Sequence, residues 1–295
     1  MAVRIRLNSR QWRIINMRTL LICFTSLVAS AALAGEMRIL DAHSHHEQEY
    51  ASIFSCTDAL TAMDAAGVDR ILLTSYGNKS TLSCFEQAPE RVIPFYSVYG
   101  SLSDKQNWMH QPGLVERARG ALETGMYSGI GEFHIFAEEI DSSVLQGLVE
   151  VARDFDLPLL LHGDAAVVDR VFEIHPGAKV LWAHLGTRPE IELLDRMLRR
   201  YPDGLFIDTS VRDSFLLGNT IVNGPRRDSL LPEWQAFFIQ HQDRVLVAVD
   251  TYSLNRWKGY TEVVTEIRKW LAQLPMPVAQ KLAWKNGEAL FGTTN

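Results

Sequence analysis

The chain has 295 residues, 47% hydrophobic and 22% charged, with a formal net charge of −6. Those proportions are ordinary for a globular protein, and the acidic balance argues against sequence-independent binding to a phosphate backbone while leaving small-molecule chemistry open. The length admits one large domain of alternating strands and helices, for which roughly 250 residues are needed.

At the N-terminus, Arg4, Arg6, Arg10, Arg13 and Arg18 form a basic stretch without an acidic residue, and the apolar run Leu20–Ala34 follows. The run ends in Ala32-Leu33-Ala34 before Gly35, which predicts a secretory signal (residues 1–34) cleaved after Ala34, with Met17 as an alternative start. The run is shorter than the roughly 20 residues of a spanning helix, so no membrane attachment is expected after cleavage. Five arginines and no acidic residue leave with residues 1–34, so the charge moves from −6 to −11. Residues 35–295 then form the mature domain in a secreted or periplasmic setting. Its two cysteines, Cys56 and Cys84, fit one disulfide or two free thiols; neither lies in a CxxC pair, so a thiolate zinc site is not expected.

From Met37 onward, short apolar runs alternate with amphipathic stretches. Strands are predicted at Arg38–Ala42, Arg70–Ser75, Val92–Val98, Tyr127–Phe133, Pro158–His162, Lys179–His184, Gly204–Thr209 and Val245–Asp250. Continuous runs such as Leu159-Leu160-Leu161 suit strands covered on both faces of a parallel sheet. Helices are predicted at Asp58–Ala66, Leu114–Thr124, Ser142–Phe155, Ala165–Ile174, Pro189–Tyr201, Pro232–Gln242 and Thr261–Leu274. Gly67 and Gly125 serve as stops, and Pro189 and Pro232 stand near starts. Alternation of this kind predicts an α/β fold, and eight repeats favour a closed TIM-type (β/α)8 barrel. The longest irregular stretch, Val211–Leu231, is a candidate binding loop.

The first strand runs into Asp41-Ala42-His43-Ser44-His45-His46. Residues two apart share a strand face, so His43 and His45 can reach one metal together. Glu132, His162, His184 and Asp250 end the fourth, fifth, sixth and eighth predicted strands. In such a barrel these ends converge on one mouth, and imidazole and carboxylate groups suit a divalent ion, zinc first among them. Four histidines and two carboxylates buried together without a cation would be costly.

With these strand ends, the closing Asn286-Gly287-Glu288-Ala289-Leu290-Phe291-Gly292 completes a pattern that resembles the amidohydrolase superfamily, particularly its amidohydrolase-related branch and TatD-like relatives. The resemblance spans nearly all of the mature chain. It implies that His43 and His45 bind a first metal shared with Asp250, that His162 and His184 hold a second, and that Glu132 stands where the family places a bridging carboxylate or a carboxylated lysine. No lysine occurs in the fourth strand, so lysine carboxylation is not expected. Asp250 is also the implied catalytic residue, accepting a proton from the attacking water.

Other residues have simpler readings. Asp41, two residues deeper than His43 and on its face, is expected to support it, and His46 to be a loop residue. His134 is a pocket-lining candidate, Asp208 a support or a plain strand end, and Arg226 and Arg227 solvated or a clamp for a substrate carboxylate. Trp182 is expected in the core. The predicted function is metal-dependent hydrolysis of an ester, lactone, amide or phosphoester, with one or two ions. The alternatives are a single-metal decarboxylase and a binding protein without turnover. Substrate and oligomeric state are not legible.

Overall fold

A computed structural model describes residues 37–219 and 227–292. The predicted signal segment and Arg226 lie outside the described residues. The chain divides near Met37, and the unit from Arg38 onward carries all the elements below.

Eight strands form one sheet in sequence order: β1 Leu40–His45, β2 Arg70–Thr74, β3 Val92–Tyr96, β4 Gly129–Ile135, β5 Leu159–Gly163, β6 Val180–Trp182, β7 Leu205–Asp208 and β8 Val245–Leu246. Neighbours pair in parallel from β1 to β8. The ring closes where Ala42 N donates to Val247 O at 3.1 Å and Asp250 N donates to His43 O at 2.7 Å. The fold is therefore the TIM-type barrel that the alternation predicts.

Each predicted strand is present within a few residues. β8 is shorter than its apolar run because the backbone of Val247 turns to the C-terminal segment, donating to Leu282 O at 3.0 Å. Among the described residues, the longest helix that escaped the sequence pattern is Lys79–Gln87, between β2 and β3; the short helices Asp213–Leu216, Leu254–Lys258 and Met276–Gln280 escaped it too. The Lys79–Gln87 helix buries Ser80, Thr81 and Cys84, so its inner face is mostly polar and shows no hydrophobic stripe. Cys84 forms a disulfide with Cys56 at the start of the preceding helix, with their Cα atoms 5.2 Å apart.

The barrel interior below the mouth is filled by Leu40, Ala42, Leu72, Ile93, Phe95, Leu160, Leu181, Ala183, Leu246 and Ala248, with Trp284 and Leu290 of the C-terminal segment packed against them. Trp182 is fully buried, as expected. The closing helix Asn286–Phe291 seals the end opposite the mouth. Gly287 is needed there, because a Cβ would sit 2.8 Å from Leu40 Cδ1.

Asn286 fastens this helix, its amide donating to the carbonyls of Gln242 and Val245, both at 2.8 Å. Asn286→Ala removes both bonds in a buried setting and is expected to cost about 2–3 kcal/mol. Urea denaturation checks this; a midpoint equal to that of the parent protein would show that the helix is held by packing alone.

Candidate metal centre

Strict alternation does not bring the mouth residues inward. Leu40 and Ala42 belong to the interior layer, which would turn His43 outward. The β1–β2 register shifts between Asp41 and Ser44, and after the shift His43 and His45 point into the barrel. β4 behaves alike: Gly129 lies against the Phe95 ring, the β4–β5 register shifts between Gly131 and Phe133, and Glu132 comes inside. At the end of β6, His184 departs from the strand with a φ of +63°, and Asp250 follows β8 with a φ of +58°. Bulges and special backbone conformations are common devices for re-aiming side chains at functional sites.

Around Glu132 the side chains close in. His162 Nδ1 is 2.9 Å from Glu132 Oε1, and His134 Nε2 is 2.9 Å from Oε2. His184 Nε2 lies 3.4 Å, His45 Nε2 3.5 Å and His43 Nε2 3.6 Å from the same carboxylate. Asp250 Oδ1 is 3.5 Å from His45 Nε2 and 4.0 Å from His43 Nε2. All six residues picked from the sequence as metal ligands thus meet in one pocket, and His134 joins them. His134 had a sequence signal, standing two residues from Glu132 on the same strand.

Outer partners fix the rings. Asp208 Oδ2 accepts from His43 Nδ1 at 3.1 Å, and Glu47 Oε1 is 3.5 Å from His45 Nδ1. Ser210 Oγ lies 2.7 Å from His184 Nδ1 and itself donates to Asp208 Oδ1. Asp208 Oδ1 also accepts from His184 N at 3.0 Å. One carboxylate therefore orients a ring on each side of the pocket, a positioning role common around metal-binding histidines. Glu47 and Ser210 carry no periodic signal and were not legible in the sequence.

The donor set fits a cation. A His43 ring that donates from Nδ1 to Asp208 presents a bare lone pair at Nε2. That atom is 3.2 Å from His45 Nε2, while His184 Nε2 and His162 Nδ1 are 3.1 Å apart. Two nitrogens on one tetrahedral ion, with bonds of about 2.0–2.1 Å, stand about 3.3 Å apart. Asp250 Oδ1 is buried and has no hydrogen-bond partner among the described residues, which adds another acceptor in need of a positive charge. His43, His45 and Asp250 form one group able to hold a metal ion; Glu132, His134 and His162 form another.

Electrostatics agree. Burial opposes protonation of His43, yet the Glu132 and Asp250 carboxylates hold its pKa well above the usual histidine value. Burial acts the same way on His45, and its contacts with Glu132 and Glu47 outweigh it, giving about 9. Burial would raise Glu132, but the surrounding histidines, led by His134, hold it well below the carboxylate range. Burial likewise acts to raise Asp208, and its bond to His43 overrides this to bring it to about 2. Glu132 and Asp208 stay ionised and call for cations.

One expectation needs correction in part. Asp41 does support His43, its Oδ1 accepting from His43 N at 3.2 Å, but it does not share the face of the His43 ring: its carboxylate also accepts from Tyr260 OH at 2.9 Å, Ser44 Oγ at 2.7 Å and Val249 N at 2.9 Å. Burial pushes its pKa up to about 6. It ties β1 to β8 and an outer helix. His46 points away from the pair in the loop after β1, as expected, and is buried there, contacting Ser80 Oγ and Phe54 O and the rings of Tyr50, Phe54 and Trp257. Arg227 is engaged locally, its backbone N donating to Asn219 Oδ1 at 2.7 Å.

No family model matches the chain, and no curated protein matches it in sequence. Solved structures do match in shape. One is described as a probable 2-pyrone-4,6-dicarboxylic acid hydrolase from Acinetobacter baumannii with citric acid bound: TM-score 0.58, 12% identity, covering 87% of this chain and 100% of that one. Another is the phosphotriesterase homology protein from Escherichia coli with phosphate in its active site: TM-score 0.59, 11% identity, covering 86% and 99%. A third is dihydroorotase from Saccharomyces cerevisiae in complex with 5-fluoroorotic acid: TM-score 0.55, 11% identity, covering 87% and 84%. The chain shares the barrel fold of these three structures. In this chain the pocket of histidines and carboxylates lies at the C-terminal mouth of the barrel, where such folds place their chemistry.

Proposed function

We propose that this chain is an exported, metal-dependent hydrolase of the amidohydrolase superfamily, acting on a small ester, lactone, amide or phosphoester. The observation that carries the reading is the pair of histidine–histidine contacts, 3.2 and 3.1 Å, set on either side of the buried Glu132. The named neighbours support a hydrolytic reading, and the ligands of three of them, citric acid, phosphate and 5-fluoroorotic acid, support a small-molecule substrate.

His43, His45 and Asp250 would hold one divalent ion, and His162, His184 and Glu132 a second. Zinc suits this mixture of imidazole and carboxylate. Such ions polarise a carbonyl or phosphoryl oxygen and lower the pKa of water to about 7. The chain's own groups do the remaining work. Asp250 Oδ1, without a hydrogen-bond partner, is placed to take a proton from the attacking water and pass it to the leaving group. Asp208 keeps His43 in the tautomer that offers Nε2 inward. His134 and His162, with 21% and 26% of their side chains exposed, mark the side on which substrate enters.

The test is metal removal. Dialysis against a chelator should lower turnover of an ester, lactone, dipeptide or phosphoester panel at least about 100-fold, and added zinc or manganese should restore it. Full activity in protein shown to be metal-free would overturn the reading. A count of about one ion per chain together with decarboxylation would favour the single-metal alternative. Export belongs to the same proposal, supported by the basic and apolar N-terminal run; sequencing of the exported protein should begin at or near Gly35.

A further inference from the structure

Lys105 belongs to a short helical turn, Leu102–Gln106, in the loop after β3. Its side chain reaches back over the mouth. Nζ lies 3.1 Å from His134 Nε2 and 5.9 Å from the ring centres of both Tyr76 and Tyr99. His134 Nε2 is also 2.9 Å from Glu132 Oε2. One ring nitrogen cannot serve both neighbours: if it donates its proton to the carboxylate, it has no lone pair for an ammonium. The carboxylate is the stronger claimant, since that contact is charge-assisted and the shorter of the two. Lys105 is then a half-buried cation bordered by a histidine edge and two aromatic rings, and among the described residues it forms no ion pair with a carboxylate.

The loop has nearer work for such a charge and does not use it. Asp104, next in sequence, accepts from the backbone of Gly100 and Ser101 and from Gln111, so it caps its own turn rather than pairing with Lys105. The ammonium instead stands two contacts, 3.1 and 2.9 Å, from the centre of the pocket. A cation beside a site that itself holds cations is repelled unless an anion arrives with the substrate. Phe136, 42% exposed, lies 6.2 Å from the His162 ring and gives the same entrance an apolar wall.

We propose that Lys105 anchors an anionic group of the substrate, so that the substrate class is a small ester, lactone or amide with a carboxylate a few atoms from the reacting carbonyl. This rests on the hydrolase reading for the reaction, but anion binding can be measured without turnover. The probe is glutarate, whose two carboxylates are spaced to reach the metal pocket and Lys105 together. Calorimetry on metal-loaded protein compares the parent chain with K105M and K105R, with metal content measured in each. Binding should weaken about tenfold or more in K105M and by less than about threefold in K105R, as expected when a charge-assisted hydrogen bond is lost or replaced. Equal affinity in K105M, or no millimolar binding to the parent chain, overturns the anchor and leaves the hydrolase reading untouched. Lysine-dependent binding in a chain that hydrolyses nothing supports the anchor and removes the hydrolase reading.

Discussion

Glu132→Gln is expected to lower the metal content from about two ions per chain toward about one and to reduce turnover at least about 100-fold. The carboxylate contacts His162 and His134 at 2.9 Å and lies 3.4–3.6 Å from His184, His45 and His43, so among the described residues no other side chain touches both halves of the pocket so evenly. Glutamine keeps the shape and loses the charge. It also places an amide hydrogen where ions or ring nitrogens need an acceptor. Elemental analysis of the purified variant, with its melting temperature as a folding control, reads the result. Unchanged metal content and unchanged turnover would remove the two-ion arrangement and favour a single ion held by His43, His45 and Asp250.

Asp250→Asn should act differently. The residue is fixed by its backbone, which donates to His43 O at 2.7 Å, and Asn retains that bond. What disappears is the carboxylate that can take up a proton. The expected outcome is a fall in kcat of about 1,000-fold with KM changed by less than about threefold. Steady-state kinetics on the best substrate of the panel, in protein matched for metal content, measures both. A variant that raised KM and kept kcat would show that Asp250 binds substrate and does not move protons.

The barrel was legible because its strands are apolar runs separated by stops, and such runs survive in a single sequence. The helix Lys79–Gln87 was not, since its buried face is Ser80, Thr81 and Cys84 and lacks the usual apolar stripe. At the mouth, His43 and His45 were legible as a pair two residues apart. How they face inward was not, because the register shift in β1 resets the alternation between Ala42 and His43. The same shift explains why Asp41 was assigned to the wrong face. Glu47, Lys105 and Ser210 reach the site from loops, where no periodicity marks which side chains point inward, and only the folded chain brings them to the histidines.

His184 and Asp250 stand at φ values of +63° and +58°, conformations that glycine adopts with ease and that cost other residues about 1 kcal/mol or more. This sets a trap for directed evolution. A library of variants ranked only by heat resistance, in the presence of chelator, should enrich glycine at these two positions, because each replacement relaxes the backbone and also removes a member of the crowded polar pocket. The survivors would be sturdier barrels with no chemistry left in them. Screening with metal present reverses the ranking, because the ion then stabilises only those chains that keep the histidine and the aspartate.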